Sequence, residues 1–166
     1  VPPDAALIEA RRSGYIQTVD RRWLAETARY HGVVLDVLVP VGGFAAEGVA
    51  LVAVTPAARL SPALARACLG GFQVGPVRTI RQDPEYGVRQ LVDVALKAIS
   101  PAVNDPSTAY NCVQQLERVL VRAIARHDPP VAGAPTGASA VRLPGQSFVR
   151  MLDHAVTQVR QYSRSD

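Results

Sequence analysis

The sequence predicts an α+β fold: a small β-rich, barrel-like lobe with short helices, then an antiparallel helical hairpin and a C-terminal helix packed against it. Three observations predict it. Short β-branched runs punctuated by glycine fill residues 1–80. Apolar residues at helical spacing fill residues 81–166. Two Asp-Pro pairs, Asp83-Pro84 and Asp105-Pro106, each stand at the start of such a helical pattern. The two lobes are expected to form one compact unit.

Ala5 to Ser13 reads as a short polar helix or lead-in. Tyr15 to Val19 alternates like a strand entered from Gly14. Asp20 suits an N-cap, with Arg21 to Tyr30 as a helix burying Trp23, Leu24 and Ala28 and stopped by Gly32. Val33 to Val39 is the strongest strand signal. Gly42-Gly43 turns the chain, Phe44 to Ala46 continues it, and Val49 to Val54 forms a further strand. Ser61-Pro62 opens a helix over Ala63 to Leu69 that ends at Gly70-Gly71. Phe72 to Ile80 reads as a strand broken at Gly75-Pro76, which places it at a sheet edge.

The helix after Asp83-Pro84 carries Val88, Leu91, Val92, Ala95, Leu96 and Ile99 on one stripe. Arg89, Asp93 and Lys97 lie on the other face at i,i+4 spacing, where each pair adds about 0.2–0.5 kcal/mol. The helix after Asp105-Pro106 shows Ala109, Val113, Leu116, Leu120, Ala123 and Ile124 as its apolar set. So short a connection makes the two helices a hairpin. Asp128 to Ala138 is rich in Pro, Gly and Ala and reads as a mobile loop. Ala140 to Leu143 suits a short strand. Ser147 to Tyr162 suits a final helix with Phe148, Leu152, Ala155, Val156 and Val159 inward.

Composition bounds the function. Apolar residues make up 48% of the 166, enough for a real core, while aromatics are only 5%. The net charge is +4, carried almost wholly by arginine, with Lys97 as the single lysine. That lysine lies on a helix, so the carrier-like hairpin Val39 to Leu51 has no attachment site for lipoyl or biotin. Cys68 and Cys112 sit in apolar helical patterns and read as buried free thiols, which suits a reducing compartment. Phosphate-loop, dinucleotide, zinc-protease and nucleophile-elbow motifs are absent. His31, His127 and His154 lack ligand spacing, so no metal or cofactor is expected. Dispersed arginines and few aromatics argue against nucleic acid as a partner.

Polar residues concentrate around the hairpin. Arg78, Arg81, Gln82 and Asp83 precede its first helix, which carries Arg89 and Asp93. Ser100, Asn104, Asp105 and Thr108 form the turn into the second. The Asp105 to Thr108 spacing is that of an N-cap. A helix N-terminus beside an arginine is also a place where a small anionic ligand could bind. These ten residues are the candidate site.

The strings Arg78 to Asp83, Tyr86 to Ala95 and Ser100 to Ala109, with Gly14 to Asp20 and the Gly43-Phe44 turn, resemble the soluble part of a bacterial family of predicted multi-pass membrane proteins of unknown function. The resemblance implies an extramembrane domain tethered by transmembrane segments that precede it, which suits a sequence beginning Val1-Pro2-Pro3. Together with the reducing-compartment cysteines and the absence of a catalytic set, it leads to the expectation of an inner-membrane location with this domain on the cytoplasmic side, in a regulatory or assembly role, with a channel or transporter as the whole protein. Homo-oligomerisation is expected. A hydrolase using Asp83, Asp93 or Asp105, or an anion- or nucleotide-sensing module, is the competing expectation.

Overall fold

Alternating apolar side chains on β3 (Val34–Val37) and a continuous apolar run on β5 (Ala50–Thr55) build the first sheet of the computed structural model, which describes residues 1–125, 140–145, 149, 151–153 and 155–157. The sheet runs β1-β5-β3-β7, with β1 spanning Ala6–Glu9 and β7 spanning Val141–Arg142. β5 is antiparallel to both neighbours, setting Leu35 opposite Val54 and Ile8 opposite Val52. β7 lies parallel to β3, with Val141 opposite Leu35. Leu51 to Val54 are all buried because β5 is central and covered on both faces.

The segment expected as a polar helix at Ala5 to Ser13 is instead strand β1. Its Ile8 and Ala10 are buried, and its partner β5 is remote in sequence, so tertiary pairing overrides the local pattern.

The second sheet runs β4-β2-β6, from Phe44–Ala45, Gly14–Val19 and Phe72–Gly75. Its register slips between Ile16 and Thr18, leaving Gln17 as an extra residue in β2. β6 is at an edge as expected, but it stops at Gly75 rather than Ile80, because Pro76 cannot donate to the ladder. Neither sheet closes on itself.

Helix α1 (Arg21–His31) is capped by Asp20, which accepts from the Trp23 amide at 2.9 Å, and is closed by Gly32 at φ 63°. Leu24, Thr27 and Ala28 face the core. Trp23, expected inward, is 46% exposed. Its indole N–H donates to the Ala67 carbonyl at 2.8 Å, a polar demand that holds the ring at the rim of α2 (Pro62–Gly70). Ser61 caps α2, which buries Leu64 and Cys68.

The chain divides into two compact units, Val1–Asp83 with Pro130–Gly145, and Pro84–Pro129 with Gln146–Asp166. In the second, α3 (Pro84–Ala98) and α4 (Pro106–Ile124) pack together as a hairpin. The core joins Val88 and Val92 of α3 to Leu116 of α4, with Met151 and Ala155 of a further helical stretch. α3 also buries Ala95 and Ala98, with Leu91 and Leu96 partly covered.

Two apolar faces differ from the expected ones. On α4 the buried line is Ala109, Cys112 and Leu116, while Val113 and Ile124 are exposed. In the C-terminal helical stretch Met151 and Ala155 are buried, while Leu152 and Val156 are partly exposed. One residue is about 100° of helix rotation, so a broad apolar helix offers two overlapping faces, and the packed neighbours choose between them. The loop expected at Asp128 to Ala138 lies outside the described residues, as do Phe148, Val159, His127 and His154.

Candidate functional site

The ten candidate residues fall into two groups. Arg78, Arg81, Gln82 and Asp83 close the first unit, where the chain leaves β6 and runs toward α3. Asp83 is 1% exposed. Arg78 meets it with Nε at 3.0 Å and Nη2 at 2.7 Å, both on Oδ2. Burial of a carboxylate is costly unless a cation and hydrogen bonds accompany it, and Arg78 supplies both. Gln82 turns the other way: its Oε1 accepts from the Val19 amide at 3.0 Å, tying this segment to the end of β2. Arg81 is exposed.

Gly42 and Gln17 complete the group and are not among the ten candidate residues. Gly42 adopts φ 82° and donates its amide to the Ile16 carbonyl at 2.8 Å. A Cβ there would run into Asp83 Oδ2 and Arg78 Nη2. Gln17, the extra residue of the β2 bulge, donates from Nε2 to the Val77 carbonyl at 2.8 Å, just before Arg78. The Gly-Gly doublet signalled a turn, but nothing local signalled that an ion pair would lie against it. Thr79 Oγ1 is buried without a hydrogen-bond partner among the described residues.

The second group lies in the helical unit. Asp105 is the N-cap of α4: Oδ1 accepts from the Thr108 amide at 3.1 Å and Oδ2 from the Thr108 hydroxyl at 2.5 Å. Those bonds, the hydroxyl first and the amide next, hold the Asp105 carboxyl below its usual pKa; desolvation opposes them, and a lesser bond from the Ser107 amide adds to them. The helix terminus is thus already met by an internal anion. Asn104 contributes through its backbone. It sits at φ 47°, a left-handed conformation that Asn tolerates better than most residues, and its amide donates to the Ser100 carbonyl at 2.8 Å. The Ser100 hydroxyl donates to the Lys97 carbonyl at 2.7 Å, and the Asp105 amide to the Ala98 carbonyl at 2.7 Å, so the end of α3 is satisfied within the same turn.

Arg89 and Asp93 are exposed on α3 with Lys97, and among the described residues no ion pair joins the three. Chemically, the first group is a buried, arginine-neutralised carboxylate at a tight turn. The second is a self-capped helix entry. In both, the carboxylates that would serve acid–base chemistry accept internal hydrogen bonds. Among the described residues no group of three His, Cys, Asp or Glu side chains is placed to hold a metal ion.

Comparison with known proteins places the chain. The family model described as predicted membrane protein (DUF2254) matches residues 1–166. Two mycobacterial proteins, both described as uncharacterized, are similar: Rv1290c of Mycobacterium tuberculosis and Mb1321c of Mycobacterium bovis, each 36% identical over 167 residues. The alignment covers 97% of this chain but 32% of each relative, so the chain spans about a third of the length of the proteins it matches. No solved structure matches. Among the described residues no helix is long and apolar enough to cross a membrane. The buried-carboxylate turn and the capped hairpin described above are built from the segments that suggested a membrane-protein family, and the match over the full length shows that the chain belongs to the DUF2254 family of predicted membrane proteins.

Proposed function

We propose that this chain is the extramembrane regulatory or assembly domain of a multi-pass bacterial membrane protein, with a channel or transporter as the whole. One observation carries the reading. A family described as membrane proteins matches all of residues 1–166, yet no helix among the described residues is fit to span a bilayer. The spanning part is then sought in the two thirds of the relatives' length that this chain does not cover. The chain itself supplies folded surface: two compact units with separate cores. Buried free thiols at Cys68 and Cys112 support a cytoplasmic side of the inner membrane.

The test uses the full-length protein. It should sediment with membranes and resist extraction by salt, and deleting residues 1–166 should leave insertion intact while changing the size or activity of the detergent-solubilised assembly. A full-length protein released into the soluble fraction without detergent would overturn the membrane part of the reading. A deletion that leaves both assembly size and activity unchanged would overturn the regulatory or assembly part.

A further inference from the structure

Strand β7 belongs to the first unit, yet the chain before it and after it belongs to the second. The chain first passes between the units at Asp83–Pro84. It passes twice more only to bring β7 to the first unit and to leave it again. Those two passages exist because β7 docks on β3. With β7 off the sheet, Asp83–Pro84 would be the single covalent link between the two units.

We propose that β7 is a releasable clip. Docked on β3 it ties the second unit to the first at a second point of the chain; released, it lets the units reorient about Asp83–Pro84. The inference stands apart from the membrane reading above. The two attachments are built differently. Asp83 is 1% exposed and accepts twice from Arg78, so the permanent link is anchored at its first residue. β7 is two residues long, lies at the sheet edge and pairs in parallel, which is the weaker ladder per residue. It is held by the buried Val141, by the Leu35 amide donating to the Ala140 carbonyl at 2.8 Å, and by Arg142.

Release leaves the sheet standing. β5 stays paired antiparallel with β1 and with β3, over four positions each, and three strands with a covered face are enough for independent stability. Because β7 is at the edge, water can take over the backbone groups it leaves on β3. Arg142 is the polar latch. Its Nε and Nη2 meet the two oxygens of Asp36 at 2.5 and 3.0 Å, a fork that fixes which residue of β3 the strand sits against. The arginine side chain is 48% exposed, so the latch opens into water and not into the core. Val141 works the other way: it joins the core around Leu35 and draws the strand back. A docked state that predominates and an open state short of unfolding both follow from so small a hold.

Amide hydrogen exchange by NMR on the 166-residue chain tests the release. The Leu35 amide reports β7, and the Leu38 amide, which donates to the Leu51 carbonyl, reports β3 on β5. Leu35 should exchange about a hundredfold faster than Leu38. Arg142→Gln should speed Leu35 by about another tenfold and leave Leu38 unchanged. Asp36→Arg should do the same, and the double exchange Asp36→Arg, Arg142→Asp should restore protection. Nitrogen-15 relaxation tests the coupling. The two units should share one rotational correlation time in the unaltered chain and show two different, shorter ones in Val141→Asp, with Trp23 fluorescence unchanged. Leu35 and Leu38 exchanging in step, in the unaltered chain and in Arg142→Gln, would overturn the release. Loss of the native Trp23 signal in Val141→Asp would overturn it too, because β7 would then be indispensable to the first unit. Units that still tumble as one body in a folded Val141→Asp would overturn the coupling. None of these results bears on membrane insertion, which the full-length protein decides separately.

Discussion

Arg78 donates twice to one oxygen of Asp83, and the two residues differ sharply in exposure: the carboxylate is 1% exposed and the arginine side chain 22%. The asymmetry predicts unequal costs of removal. Arg78→Ala strips a buried carboxylate of its cation, an error typically worth about 3–5 kcal/mol. Asp83→Asn keeps an acceptor of similar shape and leaves an arginine that reaches water, so it should cost about 1–2 kcal/mol. Urea titration followed by the fluorescence of Trp23, the single tryptophan, reads the unit that holds the pair. An Arg78→Ala cost below about 1 kcal/mol, in the range of an ordinary surface substitution, would show that Asp83 does not depend on Arg78.

The ion pair leans on Gly42, and a pair of glycines isolates that contact. Gly42 and Gly48 share nearly the same positive φ, 82° and 83°. A Cβ at Gly48 meets nothing within 4 Å, whereas one at Gly42 meets Asp83 and Arg78. Gly48→Ala should therefore cost only the left-handed backbone penalty, about 1–2 kcal/mol. Gly42→Ala should add overpacking of about 1–3 kcal/mol to that. The difference between the two midpoints measures the crowding, and it should shrink in an Arg78→Ala, Asp83→Ala background.

What could be read in the sequence was mostly what is local. The Asp20, Ser61 and Asp105 caps each act on an amide three residues on, and the spacing shows it. The α+β division was legible because period and β-branching change along the chain. Which face a helix buries was less legible. Val113 and Cys112 are both apolar, yet Cys112 is buried and Val113 exposed; the packing of Leu116, on the same buried line, against Val88, Val92 and Met151 of other elements sets which face turns inward. Strand β1 was missed because its reason lies in β5. Of the candidate site, the chemistry of Asp105 and Thr108 was visible in their spacing. The meeting of Asp83 with Gly42 was not, because it depends on the fold bringing distant turns together.

Cys68 gives a prediction about reactivity. It is fully buried on α2, and burial pushes its thiol up to about 11, since the thiolate would lose its hydration. The raised value means that the folded state favours the protonated form. The associated stability is present below the unfolded thiol pKa and is lost as pH rises through about 11. At pH 8 iodoacetamide should leave Cys68 unmodified in the folded chain and alkylate it fully in urea, as mass spectrometry of the tryptic peptide would show. Rapid labelling without denaturant would mean that α2 opens locally.

Asp105 gives the acid-side counterpart. Its carboxyl is held below the ordinary carboxylate range by the hydroxyl of Thr108 and then by the Thr108 amide. The depressed value means that folding favours the ionised form. That contribution is present above the unfolded aspartate pKa and fades as pH falls through the lower, folded one. Asp105→Ala should lower the thermal midpoint and speed hydrogen exchange at the Thr108 amide. Asp105→Asn should retain part of the cap and lack the acid-side dependence. Thr108→Val removes the first of the two bonds and should bring the Asp105 titration back toward the ordinary range, measured by NMR of the carboxyl carbon. An unchanged titration in that variant would assign the depression to the helix terminus rather than to the hydroxyl.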